Sequence, residues 1–210
     1  MIGVAEIKFY YDYKSPFSYL AFDPALELER SHRVSVRFVP FRVDLGASKG
    51  GNPAQRDDHD WRKVRYLYMD ARRFAADRGI VIRDPQKLFD SSLALIGGIF
   101  AERHGCFREY SRQVFERFFR RELDLEDIAA LGALFAELGL DAAGFRSFAD
   151  TEGSGVLELA EAEADRDRVF GAPTLIVASE IFWGNDRMQW AIRKLDAMGL
   201  RRAGDTQRAQ

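Results

Sequence analysis

Three short stretches carry residues whose types and spacing suit chemistry on a sulfur. The first is DYKSPFSYLA, in which Ser15 is followed at once by Pro16. Serine is a strong helix N-cap, and proline suits the first helical position because its missing N–H would have had no partner there, so the pair opens a helix. The same geometry aims a hydroxyl and the positive end of a helix dipole at one point, where they favour a thiolate and draw the pKa of a bound thiol toward neutrality. Nothing marks Ser15 as a hydrolase nucleophile: the chain has no G-x-S-x-G elbow, and none of His32, His59 and His104 is placed by sequence as its base. The second stretch is RVFGAPTLIV. Pro173 stands at a strand start, where proline is tolerated, and a cis bond after Ala172 would turn that residue's backbone toward the end of the first helix, to pair with an extended ligand. The third is FWGNDRMQWAI, where Gly184, Asn185 and Asp186 precede the last helix. They suit a cap, and equally a site in which backbone N–H groups hold a ligand carboxylate while Asp186 takes its ammonium.

The elements that must position these residues follow from periodicity. Residues 6–12 read as an aromatic-rich strand, 16–31 as a helix and HRVSVRFVPF as a second strand. After a polar loop, GASKGGNPAQRDDHD, the pattern is helical from Trp61 to about Arg168, in about five to six helices. One of them contains Gly97 and Gly98, which weaken its helical signal. Strand signal returns in APTLIVA and EIFWG, joined by a two-residue turn around Ser179 and Glu180, and a helix from about Asp186 to Met198 closes the pattern. This order predicts an α/β chain with a thioredoxin-like fold and an inserted all-helical domain. The thioredoxin-like part spans 1–45 and 169–200, the helical insertion 46–168, and a tail of 201–210 is expected to fray. His32 is expected at the exposed end of the first helix.

Composition narrows the partners. With 210 residues, 47% hydrophobic and 30% charged, the chain can bury a substantial core. A net charge of −2 with interleaved signs offers no basic stripe for nucleic acid. Neither a basic leader nor a long apolar run is present, so the expectation is a cytoplasmic protein without membrane contact. Cys106 is the single cysteine, read as a helical thiol, and the scattered histidines have no metal-ligand spacing.

DYKSPFSYLA, VFGAPTLIV and IFWGNDRM resemble, in this order and at these separations, the three motifs of the 2-hydroxychromene-2-carboxylate isomerase family, relatives of the kappa-class glutathione transferases. The resemblance implies bound glutathione, a homodimer and a small aromatic or electrophilic substrate. SPFS stands where disulfide oxidoreductases of similar fold carry C-x-x-C, so dithiol exchange is not expected of this chain. Ser15 matches the family's catalytic serine, which activates the glutathione sulfur. Ala172, before Pro173, matches the residue whose backbone pairs with the cysteinyl part, and Trp183, Gly184, Asn185 and Asp186 match the loop that grips the γ-glutamyl end. GGNPAQRDDHDWRKVRYLYMD resembles the family's substrate loop and the helix after it, which makes Asn52 and Lys63 candidates for the substrate side; Lys49, Asn52 or Lys63 is expected to hold a substrate carboxylate, with Phe17, Trp61 and Tyr66 against its ring. RDPQKLFDSS departs from the pattern, lacking the tyrosine expected after the first long insertion helix. The implied reaction is reversible thiolate addition interconverting 2-hydroxychromene-2-carboxylate and trans-o-hydroxybenzylidenepyruvate. A kappa-like transferase acting on other electrophiles and a non-catalytic glutathione-binding module stay open.

Overall fold

Strands apolar on both faces form the centre of the molecule. β1 (Ala5–Tyr11) lies parallel to β2 (Val34–Pro40) and antiparallel to β3 (Thr174–Val177), which pairs antiparallel with β4 (Glu180–Trp183). The order is β2-β1-β3-β4. With the period of two that a strand imposes, Ile7, Phe9, Tyr11, Phe38, Leu175 and Val177 face the main core, while Tyr10, Val39 and Ile176 face a smaller one behind it. The computed structural model describes residues 3–43 and 58–203. Lys49 and Asn52 lie outside them.

The helices fill both faces. α1 (Pro16–Ser31) follows β1. Six α-helices stand between β2 and β3 among the described residues: α2 (Asp58–Ala76), α3 (Ser92–Arg103), α4 (Phe107–Phe119), α5 (Ile128–Glu137), α6 (Ala142–Phe148) and α7 (Ser154–Arg166), with a π-helical turn at Ala149–Gly153. α8 (Met188–Ala197) follows a 3₁₀ turn at Asn185–Arg187. α1 and α8 share the main core with α3 and α4, while α7 covers the opposite face of the sheet through Ala160 and Ala164. No helix among the described residues is long and apolar enough to cross a membrane.

Pro24 lies inside α1. It has no N–H to give the carbonyl of Leu20, and the Arg78 guanidinium, just beyond α2, donates to that oxygen instead. The outer edge of the sheet is blunted in a related way: Glu29 Oε1 accepts from Val36 N at 2.8 Å, and β2 ends at Pro40, which has no donor.

Four local expectations are corrected. The β3–β4 turn consists of Ala178 and Ser179, with φ of 49° and 68°, because Val177 pairs with Glu180, which is already in the strand. His32 is buried rather than exposed: Ser31 Oγ lies 2.8 Å from its Nδ1 and Asp196 Oδ1 3.1 Å from its Nε2. The start of the tail is what covers it, since Arg201 forms a β-bridge with His32 and Arg202 N donates to Ser31 O at 2.9 Å. Cys106 caps α4 rather than lying within a helix, and burial pushes its thiol up.

Candidate active site

β1 ends at Tyr11, and the chain turns through Asp12, Tyr13 and Lys14 into α1. Ser15, extended at φ −87° and ψ 114°, caps the helix, and its Oγ accepts from Ser18 N at 3.1 Å. Its own backbone N donates to Asp12 O at 3.0 Å. No acidic side chain occupies the first turn of α1, so the helix keeps its positive end.

The second stretch arrives at the same atom. The Ala172–Pro173 bond is cis, and Ser15 Oγ donates to Ala172 O at 3.0 Å. The Ala172 carbonyl is therefore Ser15's acceptor here, where the sequence suggested that this backbone would be free for a ligand. A hydroxyl has one proton, so Ser15 gives it either to Ala172 O or to an incoming sulfur. Thr174 Oγ1 donates to Gly171 O at 2.6 Å and pins the turn.

The third stretch joins through the proline. Gly184, at φ 108°, donates its N–H to Pro173 O at 2.9 Å, so that donor is already engaged. Trp183 is half exposed and meets the exposed ring of Phe170 edge-on at 5.0 Å. A Cβ on Gly171 would come within 2.6 Å of Trp183 Nε1, so glycine is what lets the indole lie across the turn. Asn185 is half-buried, while exposed Asp186 pairs with Arg187 at 3.1 Å.

The fold thus brings Ser15, Ala172, Pro173, Trp183 and Gly184 together by direct contact, with Asn185 and Asp186 next in the chain. It does not link Lys63 to them: that side chain is exposed on α2, 3.9 Å from Asp60. Phe17 packs half-buried against the core, whereas Trp61 and Tyr66 are exposed on α2.

Two residues of the site escaped the sequence reading as contributors to its geometry. Ser18 is fully buried, and its Oγ accepts from Asp12 N at 3.3 Å. Asp12 is also fully buried, accepting from Lys14 N at 3.1 Å and Val43 N at 2.8 Å, with Lys14 Nζ at 3.6 Å. Burial holds its carboxyl above the usual range, against the pull of Lys14. The available signal was a carboxylate set among aromatics in YYDYKSP.

A β-α-β unit, an antiparallel pair after a cis proline and a capped helix aimed at that proline define a thioredoxin-fold protein with serine at the helix cap. Residues 6–195 match the DSBA-like thioredoxin domain, and the chain belongs to that family, within its 2-hydroxychromene-2-carboxylate isomerase branch. It is 30% identical over 187 residues to 2-hydroxychromene-2-carboxylate isomerase of Pseudomonas putida, covering 87% of this chain and 90% of the relative. The enzyme of the same name from Sphingobium xenophagum is 28% identical over 185 residues, 88% of this chain and 94% of its own. The solved structure of a selenomethionine 2-hydroxychromene-2-carboxylate isomerase superposes with a TM-score of 0.77 at 25% identity, over 92% of this chain and 96% of that one. These relatives support an isomerase of that family.

Proposed function

We propose that the protein is a glutathione-dependent isomerase acting on 2-hydroxychromene-2-carboxylate and trans-o-hydroxybenzylidenepyruvate, or on a related aromatic acid, as a cytoplasmic homodimer. The observation that carries this reading is the convergence on Ser15 Oγ, which is at once the cap of α1 and the partner of the residue before the cis proline. The residues present fit a peptide thiol: a hydroxyl donor at a helix N-terminus, the backbone of Ala172 before a cis proline and an exposed carboxylate at Asp186. Bound glutathione would supply a thiolate that adds reversibly to the conjugated enone, so that the former double bond rotates before the thiolate leaves unconsumed.

Ser15 turns its proton from Ala172 O toward the sulfur, and the end of α1 stabilises the negative charge there. Ala172 holds the peptide backbone alongside. Trp183, Gly184, Asn185 and Asp186 hold the γ-glutamyl end, with Asp186 shared between Arg187 and the ligand ammonium. Lys63, with Lys49 and Asn52, is the proposed holder of the substrate carboxylate.

A stoichiometry assay tests the reading. With an enone substrate, the isomer ratio is expected to change while free glutathione stays constant, and Ser15→Ala is expected to cut the rate by about a hundredfold, the scale of one oxyanion-type donor. Consumption of glutathione would point to a transferase, and binding without turnover to a binding module.

A further inference from the structure

We infer that Asp12 is a positioning residue of this site: its carboxylate fixes the turn that aims Ser15, and its buried charge sets how readily a thiol ionises at the N-terminus of α1. The inference rests on the reading of Ser15 as a hydrogen-bond donor to a thiolate. Asp12 is the one buried carboxylate among the described residues. Its carboxylate accepts from two segments, at Lys14 N in the turn before α1 and Val43 N beyond β2. The buried Ser91 Oγ has no well-aligned partner, and lies close enough to favour the charged form of Asp12. The main chain adds two ties, Ser15 N to Asp12 O at 3.0 Å and Asp12 N to Ser18 Oγ at 3.3 Å.

Among the described residues, the charges nearby leave Asp12 with one counterion. Arg42, beyond β2, is committed to Glu161 and Ser92. Asp90, ahead of α3, accepts from Ser92. Tyr13 shares its hydroxyl with Ser111. Lys14 Nζ, 3.6 Å from Oδ2 and nearly buried, is what remains. A charge with so little water around it is poorly screened, so Asp12 and a thiolate at Ser15 oppose each other's ionisation. Such coupling is reciprocal: neutralising Asp12 lowers the thiol pKa, and forming the thiolate raises the Asp12 pKa.

The experiment measures thiolate absorbance against pH with saturating glutathione, in wild type and in Asp12→Asn. The variant is expected to ionise the bound thiol at a pH lower by about half a unit or more. An equal or higher thiol pKa in a folded variant overturns the inference, because loss of a merely structural residue does not make a thiol more acidic. Carbon NMR on the wild-type protein keeps the test decisive if the variant does not fold. The Asp12 carboxyl signal should show a second inflection at the pH where the bound thiol ionises, absent with S-methylglutathione, which cannot ionise, and a signal without that inflection overturns the inference. Calorimetry separates the two levels: no glutathione binding overturns the glutathione reading and this inference with it, whereas binding with no coupling overturns only the latter.

Discussion

Ser15 performs two tasks with one oxygen, and they can be separated. As a cap it accepts from Ser18 N, and as a donor it now serves Ala172 O. Ser15→Ala removes both and should lower stability by about 1 kcal/mol, the usual cost of losing a cap. Ser15→Asp is the sharper variant. Its carboxylate still accepts from Ser18 N but leaves Ala172 O without its donor, so urea unfolding should show a loss comparable to that of Ser15→Ala, about 1 kcal/mol. It has no proton to give at neutral pH and it repels a thiolate, so glutathione-dependent turnover should vanish and the bound thiol should ionise at higher pH. Retained turnover in Ser15→Asp would remove the donor role from Ser15. This division was readable in part from sequence. Capping is local and Ser-Pro announces it, whereas the acceptor at Ala172 comes from the other end of the chain and depends on how the sheet closes.

Elements, in turn, are positioned by contacts that local patterns do not contain. The span of α1 is legible in its apolar spacing, yet Pro24 breaks its hydrogen-bond ladder, and the repair by Arg78 comes from beyond α2. Arg78→Ala leaves the Leu20 carbonyl without a donor in a buried turn and should cost about 1 to 2 kcal/mol in urea unfolding. Arg73→Ala, which removes an exposed i,i+3 partner of Asp70, is the control and should stay within about 0.5 kcal/mol. Equal losses in the two variants would show that the guanidinium is dispensable to the helix. α3 shows the same limit on sequence reading from another side. Gly97 and Gly98 weaken its pattern, but a Cβ on Gly97 would fall 2.1 Å from the Tyr110 hydroxyl, and one on Gly98 2.7 Å from those of Tyr11 and Tyr13. The glycines admit a buried tyrosine cluster assembled from β1, the turn after it and α4. His32 belongs to this class as well, its burial set by Asp196 and Arg201 from the far end of the chain.

At the scale of the whole molecule, α7 must hold the face of the sheet opposite α1, and it does so with charge. Lys8 Nζ lies 2.6 Å from both Glu163 and Asp167, Tyr10 donates to Asp167 at 2.6 Å, and Arg37 pairs with Glu163 through both of its terminal nitrogens. Sequence patterning could place α7 as a helix, but nothing in it tied Glu163 and Asp167 to residues more than a hundred positions earlier. The hydrogen bonds from Arg37, helped by Lys8 and opposed by burial, hold the Glu163 carboxyl down from 4.5 to about 2. Burial pushes Asp167 up, yet Lys8 and Tyr10 together outweigh it and leave it lowered. Burial likewise pulls Lys8 down, and its two carboxylates outweigh that to hold it raised above 10.5. Because the Glu163 pKa falls on folding, its contribution is fully present above 4.5 and is lost as pH falls toward about 2. For Lys8 the sign is opposite: its contribution is complete below 10.5 and fades only as pH rises through its raised folded value. Glu163→Gln should therefore cost about 1 to 2 kcal/mol near neutral pH, less than the full shift implies because the network's rim meets water. Urea unfolding of both proteins from about pH 7 down to about pH 3 should show the gap between them closing below about pH 4.5. A gap that stays constant across that range would mean that packing, not charge, holds α7 against the sheet.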